Sequence, residues 1–253
     1  MVIKKSEFIT SLAAKAGRIK LLRTLLFPPY WVYRKLVLEP IKKEKNKLFR
    51  ENGLSVLKAF DECMRENNFE YTLAFGTMLG AVRENGFIKH DHDLDVAMWI
   101  DQYSPSLKDC LKKAGFTLKH ELSVDNGQSG LELTFVYNKV DIDIFFIYPA
   151  IEEYPYCCDF IPIPGSASLA HSMERFGWIK PRRLQLPWPK EFKRIPFLNL
   201  ELPVPVNAHE ILSFRYGDNY MTPDPSWHWT DENKYTTEWE GKKGIEKIYV
   251  KDA

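Results

Sequence analysis

The sequence of 253 residues predicts an α+β protein, a mixed β-sheet backed by helices, on three observations. Up to about residue 148 the hydrophobic period switches between helical and strand-like in the order helix, strand, helix, strand, helix, then a meander of strands. Beyond Pro149 the texture changes: most of the sixteen prolines fall between Pro149 and Pro225, so this half is expected to wrap the sheet and line its cleft. The first fifty residues carry thirteen Lys or Arg against three acidic residues, which marks them as an extension of different character.

From Lys45 to Asn68, Leu48, Phe49, Val56, Leu57, Phe60 and Met64 recur at helical spacing, with Gly53 weakening the middle, so one helix or two short ones are expected. Tyr71–Phe75 reads as a short strand. Gly76-Thr77 then opens a short helix, T-M-L-G-A-V-R, that ends near Gly86. Asp93–Ile100 reads as a strand and Leu107–Ala114 as a helix. Phe116–Val124, Leu131–Tyr137 and Val140–Tyr148 read as strands, the last two joined by a tight Asn138-Lys139 turn. In the proline-rich half only Asn207–Tyr216 reads as a good helix, with Asn207 as N-cap and Gly217 as the stop.

Composition is that of an ordinary globular chain, 45% hydrophobic and 27% charged. Net charge is +1 but divides into +10 over residues 1–50 and −9 over the rest. Within the basic part, Leu21–Leu38 is rich in Leu, Phe, Trp and Tyr but is interrupted by Arg23, Arg34, Lys35 and Pro28-Pro29, which argues against a spanning helix; residues 1–20 show no apolar run with a cleavage site, so a secretory signal is not expected. Two readings stay open, a helix packed on the domain and an anchor on an anionic membrane surface. The four cysteines show no C-x-x-C spacing and read as reduced thiols, so the expected location is cytoplasmic, at the inner face of the membrane if the anchor reading holds.

Chemistry concentrates in G-F-I-K-H-D-H-D-L-D-V-A-M, residues 86–98. Side chains two apart share one face of a strand, so Asp93 and Asp95 point together while Leu94, Val96 and Met98 face the core. Like charges this close call for a cation between them, and an all-oxygen set suits Mg²⁺ or Mn²⁺, with Asp91 as a third metal carboxylate or a support to the other two. Asp141 and Asp143 repeat the pattern in V-D-I-D-I-F-F, offering a base and a further cleft-facing acid. Upstream, the Gly76 backbone, the Thr77 hydroxyl and the Arg83 guanidinium are the parts of a phosphate cradle at a helix start. The order Gly-Thr turn, D-x-D strand, D-x-D strand matches nucleotidyltransferase logic.

F-G-T-M-L-G-A-V-R-E-N-G-F-I-K-H-D-H-D-L-D-V-A-M resembles the signature of the LicD/fukutin family: a G-T-L-L-G-A-x-R segment, a G-F-I-P-W turn and a D-x-D-x-D block. V-D-I-D-I-F-F resembles the family's third-carboxylate strand, and L-P-V-P-V-N-A-H-E-I-L-S-F-R-Y-G-D-N-Y-M-T-P its C-terminal pattern; Lys89-His90 and Tyr220 depart from it. The resemblance implies a nucleotidyltransferase-like fold, with a helical extension over 1–44 and one catalytic domain over 45–253, its core at 70–148 and its wrapping region at 149–253. It further implies transfer of a phosphorylated alcohol (ribitol phosphate, glycerol phosphate or phosphocholine) from a CDP-linked donor to a hydroxyl of a cell-surface glycan, free or lipid-linked. In that scheme a metal on Asp93, Asp95 and Asp91 neutralises the leaving CMP and Asp143 takes the hydroxyl proton. Gly76, Thr77, Arg83 and Asp141 hold substrate.

Rival readings are a transferase acting on a nucleoside triphosphate with release of pyrophosphate, a non-catalytic scaffold of the same fold, and a His-Asp phosphohydrolase built on His90-Asp91-His92-Asp93. The last needs its pairs on helices with further patterned histidines, and here they lead into a strand. A nucleic-acid role has little support, because the basic residues cluster at one end while the cleft is acidic. Trp227, Trp229, Tyr235 and Trp239 are candidates for a cage around a quaternary ammonium, or for packing anchors. Arg175, Arg182, Arg183 and Lys190 are candidate phosphate contacts or a solvated basic loop.

Overall fold

A computed structural model describes residues 36, 38–89, 91–151, 153–224, 227 and 235–250. The basic segment 1–35, and with it the membrane-anchor reading, lies outside the described residues, as do His90 and Trp229. Among the described residues no helix is long and apolar enough to cross a membrane.

The first helix, α1 (Glu39–Glu66), runs unbroken. Gly53 does not divide it, because the missing side chain makes room: a Cβ there would lie 3.2 Å from the Phe87 ring, which packs edge-on against Phe49. After α1 come β1 (Thr72–Leu73), α2 (Phe75–Glu84), β2 (Asp93–Trp99), α3 (Pro105–Lys113), β3 (Thr117–Val124), β4 (Gly130–Tyr137) and β5 (Val140–Ile147). The predicted Tyr71–Phe75 strand shrinks to two residues because the chain turns into α2 at Phe75.

The central sheet has the order β1-β2-β5-β4-β3-β11, where β11 is Gly244–Ile248. Only β2 and β5 run parallel; the other neighbours are antiparallel. On one face Leu94, Val96, Ile142 and Ile144 are fully buried, and α1 crosses β2 and β5 with Val56, Phe60 and Met64 equally buried. The opposite face carries the acidic residues of β2 and β5.

The proline-rich half holds more regular structure than its composition suggests. It forms β6 (Tyr156–Ile161), α4 (Leu169–Phe176), β7 (Lys180–Gln185), the hairpin β8 (Phe192–Phe197) and β9 (Leu200–Pro205), α5 (Ala208–Tyr216) and β10 (Thr236–Glu238). Prolines survive in strands where no ladder N–H is needed. Pro196, Pro203 and Pro205 lie in a two-stranded ribbon, and Pro181 lies one residue beyond the β10 pairing on β7. A Ser168 N-cap accepting from the His171 N–H and a left-handed Gly177 delimit α4, signals present in the sequence. Asn207 does stand at the N-cap of α5, but its side chain makes no capping bond; its amide donates to Pro187 O and Glu210 instead. The sheet β10-β7-β6 lies over β4 and β5, the hairpin flanks β1, and α5 packs against α2. All four cysteines are buried free thiols.

The edge strand β11 is held by Glu121 of β3, whose carboxylate accepts from Lys108 (2.5 Å) and Lys247 (3.0 Å). Burial alone would raise this carboxyl, but the two ammonium groups outweigh it and hold it below its ordinary value of 4.5. A depressed carboxyl stabilises the fold above the ordinary value, and the stabilisation is lost as pH falls through the folded value. Glu121→Gln is therefore expected to cost about 1 kcal/mol at neutral pH, since Lys247 is half exposed and screened. The difference from wild type should close below pH 4.5 in paired thermal melts.

Candidate active site

The in-register parallel pairing of β2 and β5 sets Asp93 opposite Asp141 and Asp95 opposite Asp143. The two D-x-D motifs, far apart in sequence, thus become a two-by-two array of carboxylates on one face. Because β1 runs antiparallel to β2, it delivers the chain at Ala74 beside Asp95, with Ala74 N–H donating to Asp95 O at 3.0 Å. The next residue, Phe75, has φ of 40°, a left-handed conformation that bulky residues avoid. Its ring packs edge-on against Phe145 at 4.7 Å, so packing offsets the strain. That turn aims the Gly76 N–H at Asp95 Oδ2, 3.1 Å away.

Thr77 departs from its predicted role. It is buried, and its hydroxyl accepts the Asp95 backbone N–H at 2.9 Å, tying the helix start to the strand instead of facing a ligand. Arg83 lines the cleft, but its guanidinium is engaged by Glu84 at 2.8 Å and by the Tyr220 carbonyl at 3.2 Å. Asp141 is ion-paired with the buried Lys119 at 2.8 Å, a residue aimed there by an irregularity in β3 between Leu118 and His120.

Asp91 sits on the loop before β2, which is pinned by Asn46 of α1 donating to Asp91 O at 2.8 Å and Lys89 O at 3.2 Å. Burial, then the charge of Asp93, pushes the Asp91 carboxyl up to about 7. Asp143 is pushed up to about 7 by the same two causes, while a hydrogen bond from the Thr134 hydroxyl opposes the rise. Asp95 lies well above the usual carboxylate range through burial and then the charges of Asp93, Asp143 and Asp91. Asp93 is the most open of the four, with 41% of its side chain exposed.

Two neighbours escaped the sequence reading. Thr134 and Glu132 of β4 project onto this same face, Thr134 directly opposite Asp143. Burial, followed by the charges of Asp143, Asp159 and Asp95, raises the Glu132 carboxyl well above its usual range. The alternation in L-E-L-T-F marks both as facing away from the core, but not which strand they would adjoin.

Among the described residues no three His, Cys, Asp or Glu side chains close into a metal cage. The donor set still fits a hard divalent cation held by one or two carboxylates, with substrate oxygens and water completing the shell. Asp91 Oδ2 is buried with no hydrogen-bond partner among the described residues. At Gly76 an added Cβ would lie 3.4 Å from Asp95 Oδ2 and 3.5 Å from Asp91 Oδ1, so the glycine keeps the approach to both carboxylates clear.

Beside these groups opens a cleft of about 880 Å³, lined by Gly76, Arg83 and Asp91 together with Tyr216, Tyr220 and Trp227. Among the described residues the late aromatics do not converge. Trp227 packs on Tyr216, Tyr235 on Phe214 and Trp239 on Tyr156. The basic candidates lie outside the cleft wall: Arg182 forks onto Asp159 at 2.9 and 2.6 Å, Lys190 pairs with Asp101, and Arg175 and Arg183 stack on Phe176 and Trp239.

Residues 68–207 match the family described as LicD/FKTN/FKRP, nucleotidyltransferase domain. The ribitol-5-phosphate transferase FKTN of Mus musculus is 25% identical over 183 residues, 72% of this chain and 36% of that protein. Its Homo sapiens counterpart is 24% identical over 182 residues, with the same shares. The lipopolysaccharide cholinephosphotransferase LicD of Haemophilus influenzae is 40% identical over 50 residues, 20% of this chain and 19% of its own. The chain thus spans about a third of the length of the FKTN relatives. With more than half of its residues inside the matched domain, and with both acidic strands and the Gly-Thr turn in that span, the chain belongs to the LicD/FKTN/FKRP family.

Proposed function

We propose that the protein transfers a phosphorylated alcohol from a CDP-linked donor to a hydroxyl of a glycan, with release of CMP. The observation that carries the reading is the register that sets Asp95 opposite Asp143 beside the Gly76 turn. It gives one face on which a diphosphate can be held and a hydroxyl deprotonated. Asp93, Asp95 and Asp91 would hold Mg²⁺ or Mn²⁺, which when bound supplies positive charge to diphosphate oxygens and the departing CMP.

This chain's residues do the rest. Gly76 lets backbone approach the diphosphate without a side chain in the way, and Arg83 contributes charge from the cleft wall. Asp143, with a carboxyl near 7, is matched to accept the acceptor's proton at neutral pH. The Thr134 hydroxyl on Asp143 Oδ1 fixes which oxygen stays free for that task. Lys119 neutralises Asp141 and so limits the negative charge an incoming diphosphate meets. FKTN relatives in mouse and human are named for ribitol-5-phosphate transfer, and the LicD relative for cholinephosphate transfer. A polyol phosphate is favoured for this chain, since among the described residues Trp227, Tyr235 and Trp239 pack on different neighbours and do not assemble a cage for a quaternary ammonium.

Incubation with CDP-ribitol, CDP-glycerol and CDP-choline in Mg²⁺ or Mn²⁺, followed by phosphorus NMR and mass spectrometry, tests the reading. CMP and an acceptor joined through a phosphodiester are expected. Pyrophosphate released from CTP, with a nucleotidyl group left on the acceptor, would overturn it in favour of ordinary nucleotidyl transfer.

A further inference from the structure

The cleft is lined by groups of two chemical kinds. Gly76 and Asp91 lie where carboxylates gather, and Tyr216 and Trp227, in ring contact at 4.6 Å and 49°, add aromatic surface. Behind Trp227, the guanidinium of Arg215 lies 5.2 Å from its ring centre and 5.8 Å from that of Phe75, while Arg215 itself is only 7% exposed. The ring is thereby backed by a buried side chain, and Tyr216 braces it from a second direction. Asn219 and Thr222 are exposed and line the same cleft. Tyr216 also feels the charges of Asp95, Asp91 and Arg83, which places the aromatic wall within electrostatic reach of the carboxylates. A volume of about 880 Å³ accommodates a nucleotide-sized ligand with water to spare.

We propose that this aromatic part of the cleft lining is a nucleobase subsite in which Trp227 is the stacking plane and Asn219 and Thr222 meet the edge of a pyrimidine. The proposal rests on the transfer reading above for its choice of a cytidine nucleotide. A flat base needs a rigid π-face, and the packing around Trp227 supplies rigidity. A pyrimidine edge mixes donors and acceptors, and an asparagine amide offers both from one side chain. A nucleoside diphosphate ester joins a metal-seeking diphosphate to a flat base, and carboxylate, guanidinium and aromatic groups line this one cleft. A sugar of the acceptor could also lie on an aromatic ring, so the test separates the two ligands.

Calorimetric titration of the full chain with CMP and with ribose 5-phosphate, which lacks the base, is the experiment. The wild type should bind CMP more tightly than ribose 5-phosphate. Trp227→Ala should weaken CMP by roughly ten- to a hundredfold, Trp227→Phe should stay within about threefold, and ribose 5-phosphate binding should be alike in all three. Thermal melts confirm that each variant is folded. Equal CMP affinity in wild type and Trp227→Ala overturns the subsite, as does a wild type that binds CMP no better than ribose 5-phosphate. A raised KM for the glycan acceptor in Trp227→Ala, with CMP affinity unchanged, overturns it in favour of an acceptor platform. Trp227-dependent CMP binding by a protein that releases no CMP from any CDP-linked donor would support the subsite and retire the transfer reading. CMP release with a donor KM unmoved by Trp227→Ala would do the reverse.

Discussion

Asp95→Asn should reduce turnover by on the order of 10³-fold while leaving the fold intact. Asp95 sits where the two acidic strands and the Gly76 turn meet, so its substitution removes one of the carboxylates proposed to hold the metal. Asparagine can still accept the Gly76 N–H, and the backbone N–H of residue 95 still reaches Thr77, so the local structure has its bonds. Stability should hold or rise. The Asp95 carboxyl is raised by burial and by Asp93, Asp143 and Asp91. Between the usual carboxylate range and its raised value the folded protein binds more protons than the unfolded chain, so its stability falls as pH rises through that window. Asparagine has no proton to release and escapes this loss, so the gain over wild type should be largest at the alkaline end and absent in acid. Steady-state rates at saturating metal, paired with thermal melts across pH, give the check. Near wild-type turnover would refute the metal assignment, and a variant that melts well below wild type at every pH would recast Asp95 as a structural residue.

Gly80→Ala should be the most destabilising methyl in the signature segment, at about 2–3 kcal/mol. The second glycine of G-T-M-L-G-A-V-R does not touch the cleft. Its Cα faces the chain that leaves α2: an added Cβ would lie 2.4 Å from Gly86 O and 3.2 Å from Ile88 N. These are backbone atoms with no rotamer to change, and the Gly86 N–H donates back to Gly80 O at 3.2 Å. The turn must move out or the helix must tilt. Displacement of the turn would carry the Asp91 loop with it, because Asp91 N–H donates to Ile88 O. Urea unfolding should show a lowered midpoint with unchanged slope, together with a partial loss of activity. A change under about 0.5 kcal/mol, the size usual for an unremarkable surface substitution, would show that the helix and turn are not in the contact described.

Much of this was legible from local pattern. The strand period placed Asp93 and Asp95 on one face and Leu94 and Val96 on the other, and did the same for Asp141 and Asp143 against Ile142 and Ile144. The order of elements through β5 and the helix Ala208–Tyr216 follow from apolar spacing and glycine stops, with ends displaced by a residue or two except in α1, which begins at Glu39, six residues before Lys45. These are properties of a few consecutive residues, and a sequence contains them directly.

Tertiary structure decided which groups meet. That Asp95 faces Asp143 depends on β2 and β5 pairing parallel and in register, a choice made by the burial of Leu94, Val96, Ile142 and Ile144 beneath α1 and by the crossover between the strands. Other long-range contacts turned Thr77 inward to hold the Asp95 backbone and gave Asp141 to Lys119, and the antiparallel pairing of β4 with β5 added Thr134 and Glu132 to the acidic face. The proline-rich strands were hidden for a related reason. Proline is excluded from a ladder only on the side where an N–H is needed, and which side that is depends on a neighbour distant in the chain. Side-chain direction is set by backbone period, but strand partnership is set by long-range burial, and only folding brings the two together.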